Sequence, residues 1–438
     1  MSDPPVPTAR QALAACDRAC REYRMHATRT LAAALLLCSA AAAADPLTWP
    51  QWRGPTRDGV VTGPAWPDKL EGDALKQVWR VDKLGPSYSG PIVAKDRVFI
   101  TQTVDKKTEV VTALDRKTGK ELWKASWEGS ITVPFYAAKN GSWIRSTPAF
   151  DGKTLFVAGI KNLLVAVDGE TGKEVWRLDF VKEFDSPPPE FGFVCSPLVD
   201  DTGVYVQAGA SFVKVDKKTG KVLWRALKDG GGMMGSAFSS PVFATLAGTD
   251  QVVVQTRTKL AGVARDSGKE LWAKEVPSFR GMNILTPVPV GDGVFTSTYG
   301  GNTRLLRVTS AGGKYDTSDA WTLKYEGNMS TPVVVGRHAY VLGKDKRLLC
   351  VDLKTGKEAW GTDERFGDYW SLVANRDKIL ALDNRGVLYL LRANPKEYDP
   401  LDKRKVAESD TWAHLAVCGG EVFVRDLTGL TAWRWAGK

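Results

Sequence analysis

The sequence predicts an all-β fold: one eight-bladed β-propeller of four-stranded antiparallel blades, with the N-terminal strand completing the C-terminal blade. Three observations lead there. A hairpin phrase ending in Trp recurs along the chain, a second phrase opens each unit, and the last unit is one strand short. Recurrence every 40–50 residues marks propellers, solenoids and arrays.

The hairpin phrase runs Asp-x-x-(Thr/Ser)-Gly-Lys-x-x-Trp. It appears at Asp115–Trp123, Asp168–Trp176, Asp216–Trp224 and Asp352–Trp360, and without its first Asp at Ala264–Trp272. A degenerate copy ends at Trp321, so the successive Trp residues stand 53, 48, 48, 49 and 39 apart. The Asp can accept from backbone N–H groups of the turn, and the Gly supplies a positive φ. Apolar runs such as 163–167 lead in, and the Trp starts the outgoing strand. Burying that Trp at similar depth in each unit is worth roughly 1.5–3 kcal/mol, and its indole N–H then needs an acceptor.

The opening phrase is a small residue, Pro, then a strand: SGPIV from Ser89, STPAF from Ser146, CSPLV from Cys195, SSPVF from Ser239, LTPVP from Leu285 and STPVV from Ser330. SLVAN from Ser371 and HLAVC from His414 keep the pattern without the Pro, which makes eight openings. Each unit reads strand, turn, strand, turn, strand, hairpin, strand. The last unit supplies only three strands, while KQVWRVD at 76–82 carries a Trp with no inner strands before it. Pairing these ends hides both edges, which a solenoid would not need.

Residues 31–44 form an apolar run of 14 after Arg29, ending in small residues. That is too short to span a membrane and fits a secretory signal cleaved after Ala44. Translation from Met25 accounts for the first 24 residues, and a lipoprotein anchored through Cys38 is an alternative. The expected organisation is therefore a signal at 1–44, an N-terminal docking segment at 45–75 and the propeller at 76–438. Trp49, Trp52 and Trp66 make the docking segment too aromatic for a free tail. Export from a bacterial source implies the periplasm.

The net charge of +10 has no consecutive basic block behind it, which argues against a nucleic-acid partner. The 43% hydrophobic content spread over short strands argues against a membrane-spanning protein. A closed ring is expected to be monomeric. Only His338 and His414 lie beyond residue 44, which disfavours a His-based metal site or triad. Cys195, Cys350 and Cys418 are widely spaced, with no Cys-x-x-Cys and no adjacent pair, so they read as three buried thiols, with one disulfide and one free thiol as the alternative. The Gly-rich stretch Asp229–Gly235 lacks the Gly-Lys-Ser/Thr of a phosphate loop.

The repeated hairpin and opening phrases resemble the PQQ-like repeat family, named for pyrroloquinoline quinone, over about residues 76–435. The segment Trp49–Val60 is similar to the start of many exported members. The resemblance implies an eight-bladed propeller and two kinds of relative. One is the quinoprotein dehydrogenases, which oxidise alcohols or sugars with PQQ and calcium. The other is the non-catalytic BamB-like assembly lipoproteins. Dehydrogenases of this kind carry a catalytic Asp, and many hold an adjacent-Cys disulfide, which is absent here.

A ligand site belongs in the segments just before the inner strands, where the blades converge on the axis. Those segments offer Trp143, Trp370 and Trp412 as stacking faces, Arg145 and Arg280 for carboxylates, and Glu190, Asn283, Asn328 and Asp368 as oxygen donors. The alternative is that these residues close the channel and pack blade on blade. The reading favoured by the sequence is a non-catalytic binding or assembly propeller with a protein partner at the cell envelope. A PQQ- and calcium-dependent oxidoreductase, a PQQ-binding protein, and a polysaccharide-binding module that uses the channel aromatics remain open.

Overall fold

The computed structural model describes residues 45–133, 135, 141–229, 238–327 and 329–436. The stretch read as a signal, the Gly-rich loop at 230–237 and the candidate Asn328 lie outside them. Residues 46–438 form one compact unit. It is an eight-bladed β-propeller: the described strands form eight four-stranded sheets, each an antiparallel meander. Seven blades run in chain order, spanning 92–128, 149–179, 198–226, 242–275, 288–323, 333–361 and 370–405. The eighth takes three strands from 416–435, and Leu75–Val81 pairs antiparallel with Leu430–Trp435 to complete it. The closure expected from the short last unit is therefore present. Among the described residues, no helix is long and apolar enough to cross a membrane.

The middle strands read as continuous apolar runs because both of their faces are buried. In TLFVAG of the second blade, Leu155 and Val157 pack with Phe99 and Val111 of the first blade. Phe156 and Ala158 pack with Val204 and Val213 of the third. Each inter-blade core is built from one parity of each strand.

The hairpin phrase is a joint between blades. In its first copy, Asp115 Oδ1 accepts from the Lys117 and Thr118 N–H groups and from the Thr118 hydroxyl. Gly119 then turns with φ +72°. The Trp that ends each phrase crosses to the next blade. The Trp123 indole donates to the Gly169 carbonyl, Trp176 to Lys217, Trp224 to Arg265 and Trp321 to Leu353, at 2.8–3.2 Å. Trp79 of the closing strand does the same to Arg116, which seals the ring. The acceptor in all five is the carbonyl just after the phrase's Asp position, and the ring lies on the phrase's Gly. Trp272 differs and donates to Gln251 Oε1 within its own blade, because the following blade carries the degenerate hairpin. In each outer strand with this Trp, the residue before it is bulged out of register. The extra residue aims the Trp sideways and leaves Leu122, Val175 and Leu223 about half exposed.

Residues 46–74 lie against the ring. Trp49 exchanges backbone hydrogen bonds with Val93 of the first blade, Pro50 O accepts from Phe150 of the second, and Gly59 and Val61 bond to Ala374 of the seventh. Asp402 stands where the seventh blade's Trp would be, and it accepts from the Leu70 and Glu71 N–H groups. Arg404 donates to the carbonyls of Leu70 and Leu75. Trp49, Trp66 and Leu70 are buried.

Glu109 joins the first two blades. It is buried, and it accepts from the Trp127 indole and the Ile160 N–H. Burial raises its pKa from 4.5 to about 7. Between those values the folded chain keeps a proton that the unfolded chain has lost. This contribution to stability is therefore fully present below pH 4.5 and declines as pH rises through about 7. Unfolding in urea at pH 5 and pH 7.5 should differ by a few kcal/mol, about 1.4 per pKa unit, and the slope should flatten in Glu109→Gln.

Candidate functional site

The opening phrase builds the centre of the ring. The residue before each Pro sits on the axis, and in five of the six openings (Gly90 being the exception) its hydroxyl accepts an N–H from the preceding blade. Gly90 N donates to Thr147 Oγ1, Thr147 N to Ser196 Oγ, Ser196 N to Ser240 Oγ, Ser240 N to Thr286 Oγ1, and Thr286 N to Thr331 Oγ1, at 2.8–3.1 Å. The pattern changes in the last two blades, whose openings lack the Pro: Ser371 Oγ of the seventh accepts from Leu415 N of the eighth. His414 occupies that rank in the eighth blade, with Nδ1 2.8 Å from the Leu415 carbonyl. Burial pushes its pKa down to about 3, so the imidazole is neutral.

Above this floor lies a cavity of about 760 Å³, lined by Thr147, Ser196, Ser240, Thr286, Thr331 and His414. Its wall follows the strand period of two. Two residues before each axial position stand Tyr88, Arg145, Val194, Phe238, Ile284, Met329, Tyr369 and Trp412, and all eight line it. One step further out, Trp143, Met282 and Asp410 continue the same parity. The wall is two-sided. Blades three to six give a mostly apolar half, where Phe191 packs on Phe238 with centroids 5.7 Å apart and Tyr299 also lines the cavity. Blades seven, eight, one and two give an aromatic half. There Tyr369 stacks on Trp412 at 6.0 Å, Trp412 meets Tyr88 at 5.7 Å, and Arg145 lies over the Tyr88 ring. Asp368 and Asp410 are exposed at the rim, and Asp368 pairs with Lys346 at 2.8 Å.

Below the floor, the segment 49–61 crosses the axis. Arg53 is fully buried and donates to the carbonyls of Thr331, Pro332 and Asp58. Arg57 is 2% exposed and donates to the Ser196 carbonyl. Trp52 lies between, edge-on to His414, and forms part of the cavity lining. Desolvation lowers the two guanidinium pKa values to about 10 and about 9, so both stay charged at neutral pH.

The candidates divide by parity. Trp143, Arg145 and Trp412 stand an even number of residues before the axial position and line the cavity, and Asp368 reaches it at the rim. Trp370, one residue before Ser371, turns into the blade core against Phe366 at 4.3 Å. Asn283, three before Thr286, is buried and its amide donates to the carbonyls of Thr256, Arg257 and Val276. Arg280 is exposed over the Phe279 ring, and Glu190 is partly buried; neither is among the residues lining the cavity. Counting back in twos from the opening phrase would have found Tyr88, Tyr369 and Phe238. Arg53 and Arg57 are invisible to that count because they come from outside the repeats.

Calcium with PQQ does not fit these residues. Calcium needs several oxygen ligands together, and no group of three or more acidic, His or Cys side chains is placed to hold a metal among the described residues. Asn384 Oδ1 already accepts from Asp368 N, and the Asp368 carboxylate is held by Lys346. Cys195, Cys350 and Cys418 are buried thiols in separate blades.

The model of the family described as outer membrane protein assembly factor BamB matches residues 69–133 and 106–362. The chain belongs to this PQQ-like repeat family. Outer membrane protein assembly factor BamB of Shewanella oneidensis is 22% identical over 378 residues, covering 80% of this chain and 86% of that protein. A polyvinylalcohol dehydrogenase of a Sphingopyxis species is 30% identical over 169 residues, only 24% of its length. Among solved structures, BamB from Moraxella catarrhalis superposes with a TM-score of 0.60 at 13% identity, covering 82% of this chain and all of that one. Quinohemoprotein alcohol dehydrogenase from Comamonas testosteroni gives 0.61 at 13% identity, covering 91% and 82%. At such identities the PQQ-like family members share the propeller, and these two similarities speak for the fold alone.

Proposed function

We propose that this chain is an exported, non-catalytic scaffold of the BamB type, which holds a protein partner at the cell envelope on the loops of a rigid ring. What carries the reading is the chemistry of the centre. The axial side chains are hydroxyls engaged in tying blade to blade, and the wall around them is apolar and aromatic. Among the described residues no nucleophile is paired with a base there: His414 is neutral and turned to a backbone carbonyl. The family match and the similarity to BamB proteins over most of both chains support the same reading. An apolar run with the form of a signal at 31–44 is consistent with a periplasmic setting.

Cross-linking in the native envelope, followed by affinity purification, should recover an outer-membrane protein assembly component with this chain. Calorimetric titration with PQQ, with and without calcium, should show no calcium-dependent binding. Tight calcium-dependent binding together with dye reduction on alcohols or sugars would replace this reading with an oxidoreductase.

A further inference from the structure

We propose that the channel is a blind socket for the free C-terminus of a peptide, with the terminal carboxylate on the hydroxyl floor and apolar side chains against blades three to six. The inference rests on the scaffold reading above and gives it a second, central contact with a partner.

Shape is the first argument. The segment 49–61 crosses beneath the floor and is bonded to blades one, two, three, six and seven. The cavity reaches solvent past the exposed Asp368 and Asp410. A channel closed at one end admits the end of a chain and excludes its middle.

Polarity is the second. Thr147, Ser196, Ser240, Thr286 and Thr331 each already accept a backbone N–H. A hydroxyl that accepts is left with its O–H to donate, so the floor is rich in donors. Directly beneath, Arg57 holds a charge with one hydrogen bond, to the carbonyl of the floor residue Ser196, and a Trp52 ring 5.9 Å away, while its Nε and Nη1 have no hydrogen-bond partner. Burying a cation so poorly paired costs stability unless something else uses it. An anionic group on the floor would accept from the O–H groups and be held by the field of this buried charge, Arg57 itself not being among the lining residues.

The wall selects among anions. At the rim Asp368 is ion-paired with Lys346 and Asp410 accepts the Trp412 indole N–H, so the unpaired negative charge there is that of Asp410, which disfavours a ligand with carboxylates along its length. Above the hydroxyl floor, Phe191, Val194, Phe238, Met282, Ile284 and Met329 form an apolar face, with Tyr299 the polar side chain beside them among the described lining residues. One negative end and an apolar body satisfy floor, rim and wall together.

The test compares an N-acetylated hexapeptide ending in Leu-Val-Phe as the free acid with the same peptide as its C-terminal amide. Binding is read from tryptophan fluorescence, since Trp52, Trp143 and Trp412 line the cavity, and confirmed by calorimetry. The acid should bind at least about 10-fold more tightly than the amide. Arg57→Met should erase that preference with the melting temperature held or raised, and Arg57→Lys should keep part of it. Equal binding of acid and amide, an unchanged preference in Arg57→Met, or no binding of either peptide at millimolar concentration would overturn the proposal. So would tighter binding of trigalacturonate or benzenetricarboxylate. A null peptide result with the envelope cross-link intact would remove the socket alone and leave the scaffold standing.

Discussion

Gly172→Ala should lower the unfolding free energy by about 2–5 kcal/mol, far more than the same change at Gly248. Both glycines turn with φ +74°, so both substitutions carry the backbone cost of the left-handed region, about 1–2 kcal/mol. They differ in what a Cβ would meet. At Gly172 it would lie 2.5 Å from Trp123 Cε3 and 2.7 Å from Cδ2, while at Gly248 nothing lies within 4 Å. The indole is fixed by its bond to the Gly169 carbonyl and by packing between blades. It cannot retreat cheaply, and overpacking adds about 1–3 kcal/mol. Urea denaturation of the two variants beside the wild type measures the gap. Equal losses would mean that the Trp yields and that the hairpin glycine serves its own turn only.

Arg53→Ala should cost about 3–5 kcal/mol and free the N-terminal segment. Its guanidinium satisfies the carbonyls of Thr331 and Pro332 in the sixth blade and of Asp58 in its own segment. Removing it leaves those acceptors buried without a donor, about 1–3 kcal/mol each before relaxation. It also opens a void under the channel floor. Limited proteolysis should then cut within 46–61 at protease levels that leave the wild type intact, while the blades persist. If the segment stays resistant, the Trp49–Val93 and Val61–Ala374 backbone bonds hold it without the arginine. The Arg57 variant behaves differently because Arg57 has little pairing to lose, so its expected effect falls on binding rather than folding.

Repetition made the fold legible. Any local signal that recurs six or eight times averages out its exceptions, so the hairpin Asp and Gly and the count of openings could be read along the chain. The ring closure was legible as well, because an incomplete last unit and an orphan Trp strand are complementary. The site was legible only in part. Trp143, Arg145, Asp368 and Trp412 line the cavity, whereas Trp370 and Asn283, adjacent in sequence to lining residues, face the other way. Residue type marks the candidates, and strand parity decides which of them reach the cavity.

By itself the sequence determined the architecture: turn chemistry, strand runs buried on both faces and matched ends are local properties that one chain displays in order. Only the tertiary structure decided what occupies the axis. Apart from Trp272, the acceptor for each hairpin-phrase indole lies in another blade, about 40 residues away for Trp176 and Trp224. The channel floor draws one residue from each of six blades, and the two arginines beneath it come from a segment outside the repeats. Such contacts join residues by closing a ring, and their partners are set by that closure rather than by spacing along the chain.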